Sequence, residues 1–361
     1  MMRKVVIAGG GTGGHLFPGI AVAEEFTRRK EGWEVIFIGT GKELERRILS
    51  RWKFKLMTIP AAPLKGKSGW RKIAAIATLA QGIGHSVVLL RRISPHLVIG
   101  LGGYSAGAVV LAAYLLRIKR VIQEQNVQPG FTNRMAARFA QRVFLPWEVG
   151  TQFFPVEKVR VTGNPLRRGV LKGKGKQRGN KKFTLLILGG SQGAAAINKG
   201  MREALPLLHE IKKELYIIHQ TGAEDAAWVK QGYEDNGFQA SVYPFIDDMA
   251  PCYHEAHLAI CRAGAATITE LCAWGRAALL IPYPYAADDH QRKNAEFIVQ
   301  RGAARMIPQE ELSGERLAQE ILALYHDQRV LQELEQKAAA LGNPDAAARI
   351  VDECYRLVGL G

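Results

Sequence analysis

Short aliphatic runs recur along the chain, with stretches of three- and four-residue apolar spacing between them. Runs at residues 4–8, 34–38, 97–101, 119–123 and 142–145 are bounded by polar or glycine-rich turns. Such runs predict buried strands, and their alternation with helical spacing predicts a parallel sheet covered by helices on both faces. The pattern breaks at a basic, glycine-rich segment, residues 167–182, and restarts with runs at 183–188, 215–219, 240–243, 258–260 and 278–282. The chain therefore reads as α/β, with two doubly wound Rossmann-like domains over 1–163 and 164–342. A last helix over 344–357, within the segment 343–361, is expected to cross back and complete the first domain. Ligands of open parallel sheets sit beyond the carboxyl ends of the strands, so substrate is expected in a cleft between the domains.

Glycine clusters stand where those ligands would bind. Gly9-Gly10-Gly11-Thr12-Gly13-Gly14-His15, Gly102-Gly103-Tyr104 and Gly189-Gly190-Ser191-Gln192-Gly193 each follow an aliphatic run and precede a helical stretch. A residue without Cβ lets the backbone approach a pyrophosphate, with free N–H groups and the positive end of the next helix facing the anion. A nucleotide or nucleotide sugar is the expected ligand. Gly9, Gly11 and Gly14 fit G-x-G-x-x-G, but the second run ends in Gly39-Thr40-Gly41, without the acid that holds a dinucleotide's ribose. A Walker A loop also fails, because Ala61 stands where Gly66-Lys67-Ser68 would need a glycine.

Charge adds a surface to this picture. The chain of 361 residues carries a formal +16, and no Asp or Glu occurs between Glu45 and Glu124, an interval with fourteen Lys and Arg. Such a field attracts an anionic partner. No nucleic-acid module is recognisable there, so nucleic acid is not the expected partner. Ile73, Ile76, Leu79, Ile83, Val87 and Leu90 recur at helical spacing between Arg71-Lys72 and Arg91-Arg92. This pattern suits a helix lying on the anionic inner leaflet of a membrane, with a core-facing helix as the rival reading. Residues 73–90 and 93–116 lack charge, but polar residues and glycines interrupt them, so neither is expected to span a bilayer. The four cysteines form no C-x-x-C pair and the N-terminus lacks a long apolar stretch, which suggests a reducing cytosolic compartment.

Read together, the motifs resemble one family. Gly10 to His15 continuing into Leu16-Phe17-Pro18-Gly19, Gly102-Gly103-Tyr104, Glu124-Gln125-Asn126, Gly163-Asn164-Pro165-Leu166-Arg167, Gly189 to Ala194, and Arg262-Ala263-Gly264-Ala265 running to Thr269-Glu270 follow in order along nearly the whole chain. This series is similar to the MurG family of peptidoglycan N-acetylglucosaminyltransferases, glycosyltransferase family 28. The resemblance implies a GT-B fold and inverting transfer of GlcNAc from UDP-GlcNAc to the muramoyl 4-hydroxyl of lipid I, an undecaprenyl-diphosphate-linked acceptor. It also implies a peripheral enzyme at the cytoplasmic face of the bacterial membrane, meeting anionic lipids and cell-division and wall-synthesis proteins. By the same resemblance, uracil falls on the backbone at Ile246, the ribose on Glu270, and the sugar near Asn126, Ala265, Ala266, Thr267 and Gln291. Ile268 and Thr269 complete that donor segment.

Residue chemistry bears on the same roles. Departing UDP needs its growing charge stabilised, and Asp247-Asp248 and Asp288-Asp289 form no D-x-D motif. Metal-free stabilisation is therefore expected, with neither metal nor cofactor. The Gly189 to Gly193 loop, with Ser191, Gln192 and Arg167, is expected to hold the diphosphate, since a guanidinium matches phosphate and stays charged. Arg167 has a rival reading as a linker charge, and Glu270 as an ordinary first-turn helix acid. His15 is the candidate base, beside Thr12, Gly13 and Gly14 where the acceptor diphosphate would bind. A helix-start cap or anion contact is its rival, and Tyr104 and Asn126 are further acceptor-side candidates. His209, His219, His254 and His257 show no metal spacing and read as structural. Gln123 stands where the family often has His, His290 where Gln usually precedes Gln291, and Trp274-Gly275-Arg276-Ala277 lacks the usual Pro. These departures bear on the sugar contacts. A UDP-GlcNAc 2-epimerase, a paralogue with another lipid acceptor, and a non-catalytic binding protein are the alternatives.

Overall fold

Each long aliphatic run forms a strand, and both faces of the sheets are buried. A computed structural model of the chain describes residues 2–10, 13–29, 32–61, 70–175, 179, 182–190 and 193–360. The chain divides into two compact units, residues 1–167 with 344–361, and residues 168–343. The first unit contains β1 (Arg3–Ala8), β2 (Trp33–Gly39), β3 (Lys55–Thr58), β4 (Leu97–Gly100), β5 (Lys119–Gln123), β6 (Arg142–Leu145) and β7 (Val159–Val161), in the order β3-β2-β1-β4-β5-β6-β7. The second contains β8 (Phe183–Leu188), β9 (Leu215–Gln220), β10 (Ala240–Tyr243), β11 (Leu258–Cys261), β12 (Ala277–Leu280) and β13 (Arg305–Met306), in the order β10-β9-β8-β11-β12-β13. All neighbours pair in parallel.

Alternation along a strand explains why the runs are continuously apolar. Val5 and Ile7 of β1 join a core with Leu16, Ile20, Phe26 and Phe37, while Val6 and Ala8 join another with Val109, Val110 and Ile122. Both faces of the sheet therefore lose water, as a parallel sheet between helix layers requires. In each sheet the strand order reverses beside its first strand, between β1 and β4 and between β8 and β11. Those reversals leave crevices at the strands' carboxyl ends, and the glycine clusters follow β1, β4 and β8.

Several expectations change here. The strands β3, β7 and β13 are additional: each lies at a sheet edge, and each is short. Residues 164–167 group with the first unit, because Asn164 is hydrogen-bonded to Gln123 and Gln125. The stripe expected to face a membrane lies on the helix Trp70–Ile93, where Leu79, Ile83 and Val87 pack against the first unit's core and Leu90 is fully buried. Its helical spacing is thus a core-facing one; the side chains of Arg71, Lys72, Ile73 and Ile76, and all of residues 62–69, lie outside the description. Among the described residues no helix is long and apolar enough to cross a membrane.

The helix Ala346–Val358 packs on the helix Gly13–Arg28 within the first unit. Ile350, Val351 and Cys354 are fully buried, and Tyr355 stacks on Trp33 with ring centroids 5.7 Å apart. Arg29 ties the two helices, bonding Asp352 at 2.6 Å and Ala348 O at 3.1 Å. Burial pushes the Glu25 carboxyl up, but hydrogen bonds from Arg28 and Arg29 outweigh it and hold the group below its ordinary value.

Candidate active site

In the first unit, the loops after β1 and β4 meet at backbone distance. A Cβ on Gly9 would lie 2.9 Å from Leu101 Cβ, and one on Gly102, at φ +102°, would lie 3.0 Å from His15 Cε1. Glycine is therefore what allows the imidazole to sit between the two loops. Gly13 and Gly14 open the helix Gly13–Arg28, and His15 follows in its first turn. Thr12 lies outside the described residues.

The His15 ring is held by a residue far away in sequence. Its Nδ1 is 2.8 Å from Gln125 Oε1, and Gln125 Nε2 donates to Leu101 O at 2.8 Å. Glu124, 1% exposed, organises the loop that carries Gln125. Its carboxylate accepts from the N–H groups of Gln125, Asn126 and Gly130 and from the side chains of Asn126 and Asn133. A buried carboxylate with five donors needs no countercharge to be solvated. Asn126 is thereby fixed at the loop's edge, and Tyr104, 40% exposed, opens the neighbouring helix Gly103–Leu115.

Glu45 performs similar work under the first glycine loop. Fully buried, it accepts from Thr40 N, Thr40 Oγ1 and Gly41 N. A Cβ on Gly10 would lie only 2.3 Å from its Oε1. The end of β2 thus has a carboxylate beside it after all, but it is spent on Thr40 and Gly41 rather than offered to a ribose. Arg167 also belongs to this unit: its guanidinium carbon lies 4.3 Å from the Phe17 ring centroid and 5.8 Å from that of Trp52.

In the second unit, Gly190 and Gly193 take φ of +78° and +80°, and a Cβ on Gly193 would lie 2.2 Å from Thr221 O. Ser191 and Gln192 lie outside the described residues. Gln220, at the end of β9, bridges this loop to the next: its Nε2 donates to Gly190 O at 2.7 Å and its Oε1 accepts from Ile246 N at 2.9 Å. The Ile246 N–H is therefore already satisfied.

The helix Ala265–Trp274 follows β11 with Gly264 at its N-cap and no capping side chain. Ile268 N is bonded to Gly264 O, so the N–H groups of Ala265, Ala266 and Thr267 form the open, positive end of the helix. The side chains of Ile268 and Thr269 both turn into the structure. Ile268 is 2% exposed in the core, and the Thr269 hydroxyl is bonded back to Ala265 O at 2.7 Å. Glu270, 8% exposed, accepts from Tyr253 OH at 2.7 Å. Gln291 Oε1 accepts from Tyr283 N at 3.0 Å, which leaves its NH2 as the donor end of the amide. Beside the β11 loop, Arg262 bonds Ile281 O, Pro282 O and Gln309, and burial pushes it below its ordinary value.

His219 and the cysteines are packed into the interior. His219, fully buried, lies between Tyr233 OH and Asn198 Oδ1, and burial pushes it down to about 3. The cysteines are buried, and burial pushes their thiols up, to about 11 at Cys252, about 12 at Cys261 and Cys272, and higher at Cys354. Among the described residues no group of three or more His, Cys, Asp or Glu is arranged to hold a metal ion.

Comparison with known proteins shows the family. Residues 5–145 match the glycosyltransferase family 28 N-terminal domain and residues 184–350 its C-terminal domain. A protein of Geotalea uraniireducens (strain Rf4) named UDP-N-acetylglucosamine–N-acetylmuramyl-(pentapeptide) pyrophosphoryl-undecaprenol N-acetylglucosamine transferase is 48% identical over 357 residues, 98% of each chain. A protein of the same name from Myxococcus xanthus (strain DK1622) is 44% identical, covering 99% of this chain and 94% of its own. The crystal structure of Acinetobacter baumannii MurG superposes with a TM-score of 0.80 at 32% identity, covering 98% of this chain and 99% of its own. A putative UDP-N-acetylglucosamine 2-epimerase from Listeria monocytogenes shares the fold, at a TM-score of 0.69 and 16% identity over 98% of this chain and 96% of its own.

Proposed function

Because the chain belongs to glycosyltransferase family 28, we propose that it is the N-acetylglucosaminyltransferase that converts lipid I to lipid II in peptidoglycan synthesis. Its donor is UDP-GlcNAc and its acceptor the undecaprenyl-diphosphate-linked muramoyl pentapeptide. The full-length 48% identity to a transferase of that name carries the reading. The epimerase likeness, at 16% identity, speaks to the fold alone.

We assign the donor to the second unit. The open N–H groups of Ala265, Ala266 and Thr267 and the loop through Gly190 and Gly193 are suited to the diphosphate, because fixed dipoles stabilise charge growing on a leaving group without reorganising. Glu270, held by Tyr253, is suited to the ribose hydroxyls. Gln291, with its NH2 as donor, is suited to a sugar hydroxyl, and the Ile246 carbonyl to the uracil imide. The acceptor belongs to the first unit, on the Gly13–Gly14 helix start, Tyr104 and Asn126. There His15 takes the proton of the 4-hydroxyl as its oxygen bonds to the sugar's anomeric carbon and the bond to UDP breaks. Backside attack inverts that carbon. Arg167 contributes a permanent charge for a diphosphate.

The test follows labelled GlcNAc from UDP-GlcNAc onto a short-chain lipid I analogue, with EDTA present and a control lacking acceptor. Product that requires acceptor is expected, and its survival in EDTA would establish stabilisation of UDP by protein groups. Conversion of the sugar nucleotide without acceptor would replace this reading with an epimerase. In the same assay, Arg167→Ala is expected to weaken inhibition by UDP roughly tenfold, the loss of one charge-assisted hydrogen bond. Unchanged inhibition by UDP with a raised acceptor KM would move Arg167 to the acceptor's diphosphate.

A further inference from the structure

The amides beneath His15 form a chain whose orientation can be followed from backbone carbonyls, which only accept. Asn164 Nδ2 lies 2.8 Å from Gln125 O, so that edge of Asn164 is the NH2 and Oδ1 is its acceptor. Gln123 Nε2 donates to that Oδ1 and to Glu124 O, each at 2.9 Å, which leaves Gln123 Oε1 as an acceptor. Gln125 Nε2 then faces acceptors alone: Leu101 O at 2.8 Å, Gln123 O at 3.1 Å and Gln123 Oε1 at 2.5 Å. Rotating this amide would set its oxygen against three others. Gln125, Gln123 and Asn164 are each 3% exposed or less, so water does not relieve that repulsion.

The oxygen of Gln125 is therefore committed to His15, 2.8 Å from Nδ1. An oxygen that only accepts requires a proton on Nδ1, and neutral imidazole has only one. Nε2 is left with its lone pair, and no described residue is hydrogen-bonded to it. We propose that Gln125, locked by Gln123 and Asn164, is a positioning residue that stores the neutral His15 proton on Nδ1 and presents Nε2 as the atom that accepts a proton from substrate. This rests on the reading of His15 as the base. When the acceptor oxygen bonds to the anomeric carbon, its proton moves to Nε2, UDP departs with the bonding pair, and the imidazolium keeps its Nδ1–H bond to Gln125. Release of the Nε2 proton to water restores the starting tautomer. An amide oxygen fixes the ring as a carboxylate would, but without a full negative charge to hold the imidazolium afterwards.

The tautomer is directly observable. Ring nitrogens of the full-length protein labelled with 15N-histidine would be correlated with their ring protons above the titration of the histidines, with His15 assigned by its disappearance in His15→Gln. Nδ1–H is expected in the wild type, the opposite of the form preferred by free imidazole side chains in water; an Nε2–H ring would overturn the proposal. Gln125→Met, which removes the acceptor while retaining bulk, is expected to move the ring toward Nε2–H. It should also lower kcat about 10- to 100-fold with the KM for UDP-GlcNAc unchanged. An unmoved tautomer with wild-type kcat would overturn it as well. Should Gln125→Met not fold, the wild-type spectrum alone decides. Failure of the base reading is separate: it would show as His15→Gln turning over at the wild-type rate, whatever the tautomer.

Discussion

Two histidines in this chain hold their protons in opposite ways, for the same physical reason. His15 faces an amide oxygen through Nδ1, whereas His219 faces Asn198 Oδ1 through Nε2 and Tyr233 OH through Nδ1. Asn198 Nδ2 donates to Thr221 O and Asp225, so its Oδ1 accepts and His219 carries its proton on Nε2. Burial pushes His219 down to about 3, against an ordinary value of 6.5. The unfolded chain therefore binds a proton between those values that the folded chain refuses, and stability falls as pH drops through that window. Between about pH 7 and about pH 5 the loss from this one group is about 2 kcal/mol. Urea unfolding at the two pH values should show His219→Gln losing less stability than the wild type by that amount; equal losses would mean that His219 protonates in place. None of this was legible from spacing. His15 was singled out by its place after a glycine loop, but Gln125 lies 110 residues away, and Gln220 and Tyr253 act through contacts that only the folded sheet creates.

Elements were legible where burial was complete. Every strand with two buried faces announced itself as an aliphatic run, while β3, β7 and β13 escaped because edge strands need few apolar residues. Lys55 and Thr58 of β3 are exposed, and β13 is two residues long. Periodicity likewise found the helix Trp70–Ile93 but could not say which neighbour its stripe would meet. With Leu79, Ile83 and Val87 packed inward, the exposed apolar side chains among the described residues of this region include Val88, Tyr114, Leu115, Phe131 and Met135. Arg91, Arg92, Arg117, Arg134 and Arg138 interleave with them in sequence. We propose this surface as the contact with anionic lipid, since apolar insertion and basic attraction add. Val88→Glu combined with Leu115→Glu, at positions 65% and 60% exposed, should lower binding to phosphatidylglycerol vesicles at least tenfold, roughly what two lost apolar contacts and two added carboxylates imply. Transfer to a water-soluble acceptor should continue. Undiminished vesicle binding would remove this surface from the docking site.

At the scale of the whole molecule, the first unit is discontinuous in sequence and the second is inserted within it. The sequence pointed to the return of the last helix. It left open what that helix would bury, which proves to be the cluster of Phe26, Trp33 and Tyr355 with Ile350 and Val351 beneath it. Removing residues 344–361 withdraws Ile350, Val351 and Tyr355, each contributing about 1.5–3 kcal/mol when buried, and uncovers Phe26 and Trp33. The shortened chain should lose cooperative unfolding of the first unit while UDP still titrates the second. Two transitions at wild-type temperatures would show the helix to be dispensable. The same topology sets an order during translation. Residues 346–358 emerge only after the whole of 168–343 has been made, so the inserted unit can reach its native state while the Phe26–Trp33 face of the first is still uncovered. A ribosome that stalls within the inserted unit therefore leaves a nascent chain with a bare aromatic patch, a target for chaperone or protease.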